Sequence, residues 1–440
     1  PASKLNPSIP RGFDEVIARG MAKKPKERYS TASELADAAR QALTSTARRQ
    51  LTLPLIAASI IVLVLTAAVT SYIMREPSNP SHPSTSKVST PTAAPAASVC
   101  ADPNAVPAAI KSTRDKLAQL LMVGVKDGAD AKAVVANHHV GGIFVGSWTD
   151  LSMLTNGALK ELVESAGPLR LAVSVDEEGG RVSRLKKLIG PAPSAKDLAK
   201  TMTVDQVYGF ELDRGHKLRG AGITIDFAPV VDVTEAADDT VIGDRSFGSD
   251  PDKVTAYAEA YARGLRDAGV LPVLKHFPGH GHGSGDSHTG GVSTPPLSQL
   301  QTNDLVPYRK LVTQAPVAVM VGHLQVPELT GDDPASLSPA AVQLLRTGTG
   351  YGAPAFDGPI FSDDLSSMAA ISSKYPVPEA VLHTLQAGTD VALWVTTDEV
   401  PAVLDRLEQA VNANQLQMQR VDESLVRVAK MKGPGPACGH

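Results

Sequence analysis

Residues 271–288 read LPVLKHFPGHGHGSGDSH, and this stretch shows the unit from which the fold is built. An apolar run of strand length, 271–274, ends at the polar pair Lys275 and His276. Comparable runs recur along the chain, at 140–145, 171–175, 223–230, 317–321, 359–361 and 391–395. Between them lie segments with helical spacing, which include 204–219, 252–269, 297–314 and 400–413. Short strands that alternate with helices predict an α/β fold, a (β/α)8 barrel of the TIM type.

Polar residues stand after several of the predicted strands. Asp176 follows the run 171–175, His323 follows 317–321, and Asp363 follows the run that ends at 361. Active sites of TIM barrels lie at the C-terminal ends of the strands, so this placement predicts a catalytic barrel. The alternative is that these residues are polar only because loops are solvated.

The overall composition is that of a globular protein. Of 440 residues, 42% are hydrophobic, 20% are charged and 4% are aromatic, and the net charge is −4. These values exclude a wholly disordered or disulfide-scaffold chain, and no nucleic-acid partner is expected. The charge is uneven, because residues 1–50 hold ten basic and five acidic side chains, which leaves −9 for the remainder. The chain therefore contains regions of different character.

A stretch without charge follows the basic region. The 24 residues 51–74 read LTLPLIAASIIVLVLTAAVTSYIM. This length suffices for a transmembrane helix, whereas a signal peptide would be shorter and would stand at the start of the chain. Basic residues on its N-terminal side predict, by the positive-inside rule, a cytoplasmic N-terminus. The expected location is a cell membrane crossed once, with everything after residue 74 outside the cell.

The residues 75–99 are predicted to form an extended linker, since 14 of the 22 residues 77–98 are Pro, Ser or Thr. The barrel domain is then expected over 100–440. Cys100 and Cys438 bracket it and are the only two cysteines of the chain. In an exported domain this pattern predicts a disulfide between them, and two free thiols are the alternative.

The Gly-rich stretch after residue 274 is the densest cluster of chemically active side chains. It holds a carboxylate, Asp286, and four of the eleven histidines of the chain, which are His276, His280, His282 and His288. Such a set could bind zinc, although no HExxH pair is present. Alternatively, His288 is a general acid/base oriented by Asp286, because imidazole has a pKa near 6.5. A carboxylate of the segment 361–366 (FSDDLS) would then serve as the nucleophile.

Five motifs in this order resemble glycoside hydrolase family 3. They are VDEEGGRVSR at 175–184, IGDRSFGSDP at 242–251, KHFPGHG at 275–281, DSH at 286–288 and FSDDLS at 361–366. The similarity runs from about 114 to 432 and is greatest to the β-N-acetylhexosaminidases of the NagZ type. It implies a retaining enzyme that needs no cofactor or metal. It also implies that the substrate carries terminal GlcNAc, as peptidoglycan-derived muropeptides do, and that the role is cell-wall turnover.

The resemblance also implies a role for individual residues. Asp363 would be the nucleophile, His288 the acid/base and Asp286 its partner. Five further residues would bind the sugar, namely Asp176, Arg184, Arg245, Lys275 and His276. This sequence departs from the family pattern at one point, because FSDDLSSM has an additional Ser367 before Met368. With phosphate as the acceptor, the same residues would make a GlcNAc phosphorylase, which is an open alternative.

Residues 1–45 have helical spacing, and 13–43 resemble the last two helices of a bacterial Ser/Thr protein kinase domain. None of the motifs that perform phosphoryl transfer is present in this piece. The resemblance implies that a kinase domain precedes residue 1 in a longer protein, or that the piece is a remnant. In the first case, the barrel could be a muropeptide-sensing outer domain of a receptor kinase.

Overall fold

The computed structural model describes residues 12–20, six single positions between 22 and 42, and residues 102–165 and 169–433. The chain divides into two compact units, 1–90 and 91–440. The predicted membrane helix 51–74, the linker 75–99 and both cysteines lie outside the described residues. Within the described ranges, no helix has the length and apolar character needed to cross a membrane.

The first unit contains the helix Gly12–Gly20. Val16 of this helix is buried, and the Arg19 guanidinium carbon lies 4.3 Å from the centre of the Tyr29 ring. Of the helical spacing predicted for residues 1–45, the helix at 12–20 is confirmed. The likeness to a kinase domain stays a prediction.

The second unit is an eight-stranded parallel barrel. Its strands are β1 Leu121–Gly124, β2 Gly142–Val145, β3 Ala172–Val175, β4 Ile225–Asp226, β5 Leu271–Phe277, β6 Ala318–Val321, β7 Ile360–Ser362 and β8 Ala392–Trp394. Each strand pairs in parallel with the next from β1 to β7, and β1 also pairs with β8. A bridge between Phe361 and Val391 joins β7 to β8 and closes the barrel. The predicted α/β fold class, a (β/α)8 barrel, is confirmed for this unit.

The strands differ from the sequence prediction in three places. β1 was not predicted at all. β4 covers only two residues of the predicted run 223–230, because Pro229 lacks the N–H that a central strand needs. Pairing resumes only as a single bridge between Val230 and Lys275. β5 runs on to Phe277, so that Lys275 is a strand residue and not the start of a loop.

Helices follow the strands around the barrel. Their bounds are Val106–Ala109, Thr113–Ala118, Gly128–His138, Ala158–Ser165, Lys186–Ile189, Ala195–Thr201, Val204–Gly220, Pro251–Asp267, Leu297–Leu300, Val306–Leu311, Pro339–Thr347, Ala369–Ser372, Val377–Ala387, Val400–Asn412 and Met418–Lys432. Single 3-10 turns lie at Pro103–Ala105, Leu151–Leu154, Gly243–Arg245 and Ala335–Leu337. The predicted helix 297–314 is wrong as one element, since two short helices take its place. Polar residues cap the N-termini of other helices. At the start of Val204–Gly220, for example, Thr203 and Gln206 form a capping box.

Aromatic side chains fill the interior of the barrel. The centre of the Phe144 ring in β2 lies 5.8 Å from the centre of the Phe227 ring, which follows β4. The Phe227 ring centre lies 5.5 Å from that of Phe361 in β7. These strands are not neighbours in the sheet, so the three rings must meet across the interior. The packed interior leaves the C-terminal strand ends as the place for a site.

Two short strand pairs lie outside the barrel. One is the antiparallel hairpin of Glu177–Gly179 with Val182–Ser183, directly after β3. The other joins Val292–Ser293 to Leu324–Gln325, in the loops after β5 and β6. Both pairs therefore belong to loops at the C-terminal end of the barrel.

Candidate active site

A cavity at the C-terminal ends of the strands brings together seven of the eight residues predicted for catalysis and sugar binding. It is lined by Asp176, Arg184, Arg245, Lys275, His276, His288 and Asp363, among others. The eighth, Asp286, is hydrogen-bonded to His288. Strand ends supply Asp176 and Asp363, β5 supplies Lys275 and His276, and loops supply the rest.

Buried ion pairs hold one wall of this cavity. The Lys275 Nζ lies 2.7 Å from Asp176 Oδ1 and 2.6 Å from Glu178 Oε1. Arg245 donates to both oxygens of Glu178, at 2.8 and 2.9 Å. Burial would raise the pKa of Glu178, but the charges of Arg245 and Lys275 outweigh it and hold this pKa well below its usual value. The carboxylate therefore stays ionised and fixes both cations.

His276 is oriented by a buried carboxylate. Its Nδ1 lies 2.7 Å from Asp232 Oδ2, and the other oxygen, Oδ1, accepts from the His280 backbone N–H at 2.7 Å. Because a carboxylate only accepts, Nδ1 must carry the proton, which leaves Nε2 as an acceptor. That nitrogen lies 3.4 Å from Arg245 Nη2. The imidazole is thus held in a defined orientation.

Asp363 stands immediately after β7 and lines the cavity. Its Oδ1 accepts from the Asp364 N–H at 2.9 Å. Burial raises the pKa of Asp363, whereas His323, His276, the Asp364 N–H and Lys275 lower it, and the net pKa lies below the usual value. The side chain is therefore ionised at neutral pH and able to act as a nucleophile.

The neighbouring Asp364 has a different environment. Its carboxylate accepts from the backbone N–H and the hydroxyl of both Ser366 and Ser367. Its carbonyl oxygen lies 2.7 Å from Nε2 of the buried His323. The additional Ser367 thus helps to shape the turn after Asp363, and Asp364 positions this turn while Asp363 faces the cavity.

His288 and Asp286 form a hydrogen-bonded pair on the loop after β5. Nδ1 of His288 lies 2.6 Å from Asp286 Oδ1, which also accepts the His288 backbone N–H at 2.9 Å. Because the carboxylate accepts, Nδ1 carries a proton, and Nε2 is left to exchange a proton with a ligand. The pair is open to solvent, because the His288 side chain is 59% exposed.

The loop that carries this pair is attached to the segment after Asp363. The Ala369 N–H donates to the His288 carbonyl at 3.3 Å, and the Ala370 N–H donates to the Ser287 carbonyl at 3.1 Å. The backbone of this loop also lies close to Val233, the residue after Asp232. A Cβ at Gly281 would lie 1.9 Å from the Val233 carbonyl oxygen. Glycine is therefore needed there for close approach.

The four histidines of the loop region face separate partners. His276 contacts Asp232, His280 lies 3.2 Å from Ser287 Oγ, His282 lies between Asp304 and Glu235, and His288 contacts Asp286. In the part of the chain that the structure describes, no three His, Cys, Asp or Glu side chains are grouped so as to hold a metal ion. The histidine cluster of the sequence is thus divided into four separate sets of contacts.

Comparison with known proteins identifies the family. Residues 112–431 match the glycosyl hydrolase family 3 N terminal domain. This chain belongs to glycosyl hydrolase family 3.

Relatives of the family 3 barrel are similar over most of their length. Beta-hexosaminidase LpqI of Mycobacterium tuberculosis is 70% identical over 365 residues, which make up 83% of this chain and 94% of that protein. A family 3 glycosyl hydrolase of Mycobacterium smegmatis, solved by crystallography, is 70% identical with a TM-score of 0.74, over 74% of this chain and 99% of that one. A family 3 β-N-acetylglucosaminidase structure from a Paenibacillus species is 31% identical with a TM-score of 0.67, over 73% and 62%.

Two buried carboxylates of the family 3 site were missed in the sequence. Glu178 pairs with both cations, and Asp232 orients His276. Glu178 lies two residues after Asp176 in a quoted motif, and Asp232 follows the predicted run 223–230. The rule that selected Asp176, a polar residue just after a strand, would also have selected Asp232.

Proposed function

We propose that this chain is a retaining exo-β-N-acetylglucosaminidase that removes terminal GlcNAc from peptidoglycan-derived saccharides. The observation that carries the proposal is one cavity lined by an ionised carboxylate, Asp363, and by an imidazole, His288, with a free Nε2. Two relatives, named Beta-hexosaminidase and β-N-acetylglucosaminidase, support the choice of sugar.

In the first step, an oxygen of Asp363 attacks the anomeric carbon as the bond to the leaving oxygen breaks. His288 enters this step as the imidazolium and gives its Nε2 proton to the leaving oxygen. Asp286 accepts from Nδ1 and stabilises the charged ring before the transfer. The product of the step is a glycosyl ester of Asp363 and the free aglycone alcohol.

In the second step, His288 is neutral and removes a proton from a water molecule through Nε2. The water oxygen attacks the anomeric carbon, and the ester bond to Asp363 breaks. Two inversions leave the product with the β configuration of the substrate. The imidazolium is regenerated for the next cycle.

The ion-paired wall would bind the hydroxyls of the sugar. Arg184 has no hydrogen-bond partner among the described residues, so that its guanidinium N–H groups are available to sugar oxygens. Asp176 uses Oδ1 for Lys275, and its other oxygen can accept from a hydroxyl. Because Asp176 and Lys275 are paired before the ligand arrives, these two charges need little reorganisation on binding.

The proposal extends to the place where the reaction occurs. The charge-free residues 51–74 and the basic residues before them support a single membrane span with the barrel outside the cell. Protease added to intact cells should then digest the barrel and spare a tag placed at the N-terminus. Protection of the barrel would contradict this arrangement.

The activity itself is tested with the purified chain and two substrates, p-nitrophenyl β-GlcNAc and the disaccharide GlcNAc-MurNAc. Release of GlcNAc from both, with the β anomer formed first in an NMR time course, is the expected result. The α anomer as first product would contradict the retaining mechanism. Turnover that requires phosphate and yields GlcNAc 1-phosphate would show a phosphorylase instead.

A further inference from the structure

A second cavity adjoins the polar one and has a different lining. Asp176, Arg184, His288, Asp363 and Met368 belong to both cavities. The second cavity continues into a largely apolar wall that includes Phe144, Trp148, Leu393 and Val395, with Ser367 at its edge. The proposed reaction centre thus has a charged side and an apolar side.

Trp148 is unusual within this wall because it is 47% exposed. In the described part of the barrel domain, Leu188 is the only other large hydrophobic side chain that is exposed. The other tryptophan of the chain, Trp394, is fully buried in β8. An exposed aromatic ring beside a reaction centre is typical of a binding surface.

The turn after β2 holds this indole in a fixed position. The buried Thr149 hydroxyl donates to the Val125 carbonyl at 2.7 Å and accepts from the Gly146 N–H at 3.0 Å. The indole packs directly on Gly146, where a Cβ would lie 2.3 Å from Cη2. Its centre lies 5.9 Å from the centre of the Phe144 ring. The indole is therefore packed against the turn after β2, with 47% of Trp148 left exposed beside the reaction centre.

The two cavities suggest which part of a substrate lies where. The sugar that is attacked carries the hydroxyls that the charged wall can bind. The leaving sugar must lie beside His288, which protonates the leaving oxygen and also faces the apolar cavity. The C–H face of a pyranose ring is apolar and flat enough to stack on an indole.

We infer that Trp148 is the base of a binding subsite for the leaving sugar, which stacks its C–H face on the indole. This inference rests on the proposed function and names the class of aglycone, a pyranose rather than a small alcohol. Ser367 and Met368 line the same cavity as Trp148, so that the additional serine contributes to this subsite.

The test compares a substrate that reaches the subsite with one that cannot. GlcNAc-β-1,4-MurNAc places a sugar on the indole, whereas β-GlcNAc fluoride has a leaving group of one atom. We expect Trp148→Ala to lower kcat/KM for the disaccharide about tenfold or more, and Trp148→Phe to lower it less than threefold. The kcat/KM for the fluoride and the Ki of free GlcNAc should change less than twofold. Leu188→Ala, at the matched exposed position, should change none of these values.

Equal losses for the disaccharide and the fluoride would overturn the inference, because Trp148 would then serve the attacked sugar. An unchanged kcat/KM for both would overturn it as well. If the unaltered chain hydrolyses neither substrate, the proposed function fails, and the subsite is decided by fluorescence. The emission of Trp148 is obtained as the difference between the spectra of the unaltered chain and of Trp148→Ala. Added disaccharide should shift this difference spectrum to shorter wavelength. An unshifted difference spectrum would reject the subsite.

Discussion

The two halves of the candidate site are built in opposite ways. The strand-end half has buried and paired charges, such as Glu178 at 4% exposure between Lys275 and Arg245. The loop half has an exposed imidazole with one carboxylate partner, His288 with Asp286. Charges that recognise a substrate benefit from being fixed, since they need no reorganisation. A group that gains and loses a proton in every cycle benefits from contact with solvent. We therefore expect changes in the two halves to have different consequences.

The largest effect should come from the nucleophile and should separate it from its neighbour. Asp363→Asn should lower kcat/KM about 10³-fold or more, because no covalent intermediate can form. Asp364→Asn removes a carboxylate that shapes the turn and lines the apolar cavity, and a loss of about tenfold is expected. Steady-state kinetics with p-nitrophenyl β-GlcNAc measures both. A larger loss in Asp364→Asn than in Asp363→Asn would reverse the assignment.

The second effect concerns the loop half and depends on the leaving group. His288→Gln should lower kcat/KM about 10²- to 10³-fold for a substrate with a poor leaving group, such as GlcNAc-MurNAc. For a dinitrophenyl glycoside the loss in this first step should be about tenfold or less, because that leaving group departs without a proton. A loss of the same size for both substrates would mean that His288 is not the acid.

The third effect should distinguish the halves by stability. Glu178→Gln leaves Lys275 and Arg245 without their shared anion, and the free energy of unfolding should fall by about 3 kcal/mol. Asp286→Asn, in the exposed pair, should change it by less than about 0.5 kcal/mol while kcat/KM falls about tenfold. Urea unfolding of both variants is the measurement. If both variants lost the same free energy of unfolding, the proposed difference between the buried half and the exposed half of the site would be contradicted.

The smallest effect is a pH dependence at the edge of the loop half. A hydrogen bond to Asp304, together with Glu235, raises the pKa of His282 to about 9. Since this pKa is raised on folding, the stabilisation is fully present below about pH 6.5 and is lost as the pH rises through about 9. His282→Asn should therefore cost roughly 1–2 kcal/mol at pH 6 and almost nothing at pH 10. A cost that is constant with pH would contradict the ion pair.

Much of the barrel was predictable because strands and helices have different periodicities. One strand that was missed is β1, whose residues 121–124 follow a helix after only two residues and read as its continuation. In the site, strand ends gave Asp176 and Asp363, while Arg184 and Arg245 came only through resemblance, because they lie on a hairpin end and a 3-10 turn. No pattern of neighbours reveals that the indole of Trp148 is exposed, since a tryptophan after an apolar strand usually packs in a core.

The most direct test of the account is to trap the covalent intermediate. A 5-fluoro derivative of β-GlcNAc fluoride should slow the second step more than the first and let the ester accumulate. The mass of the intact protein should then rise by one fluoroglycosyl group, and peptide sequencing should place this group on Asp363. An unlabelled protein that still hydrolyses substrate, or a label on Asp364, would contradict the account.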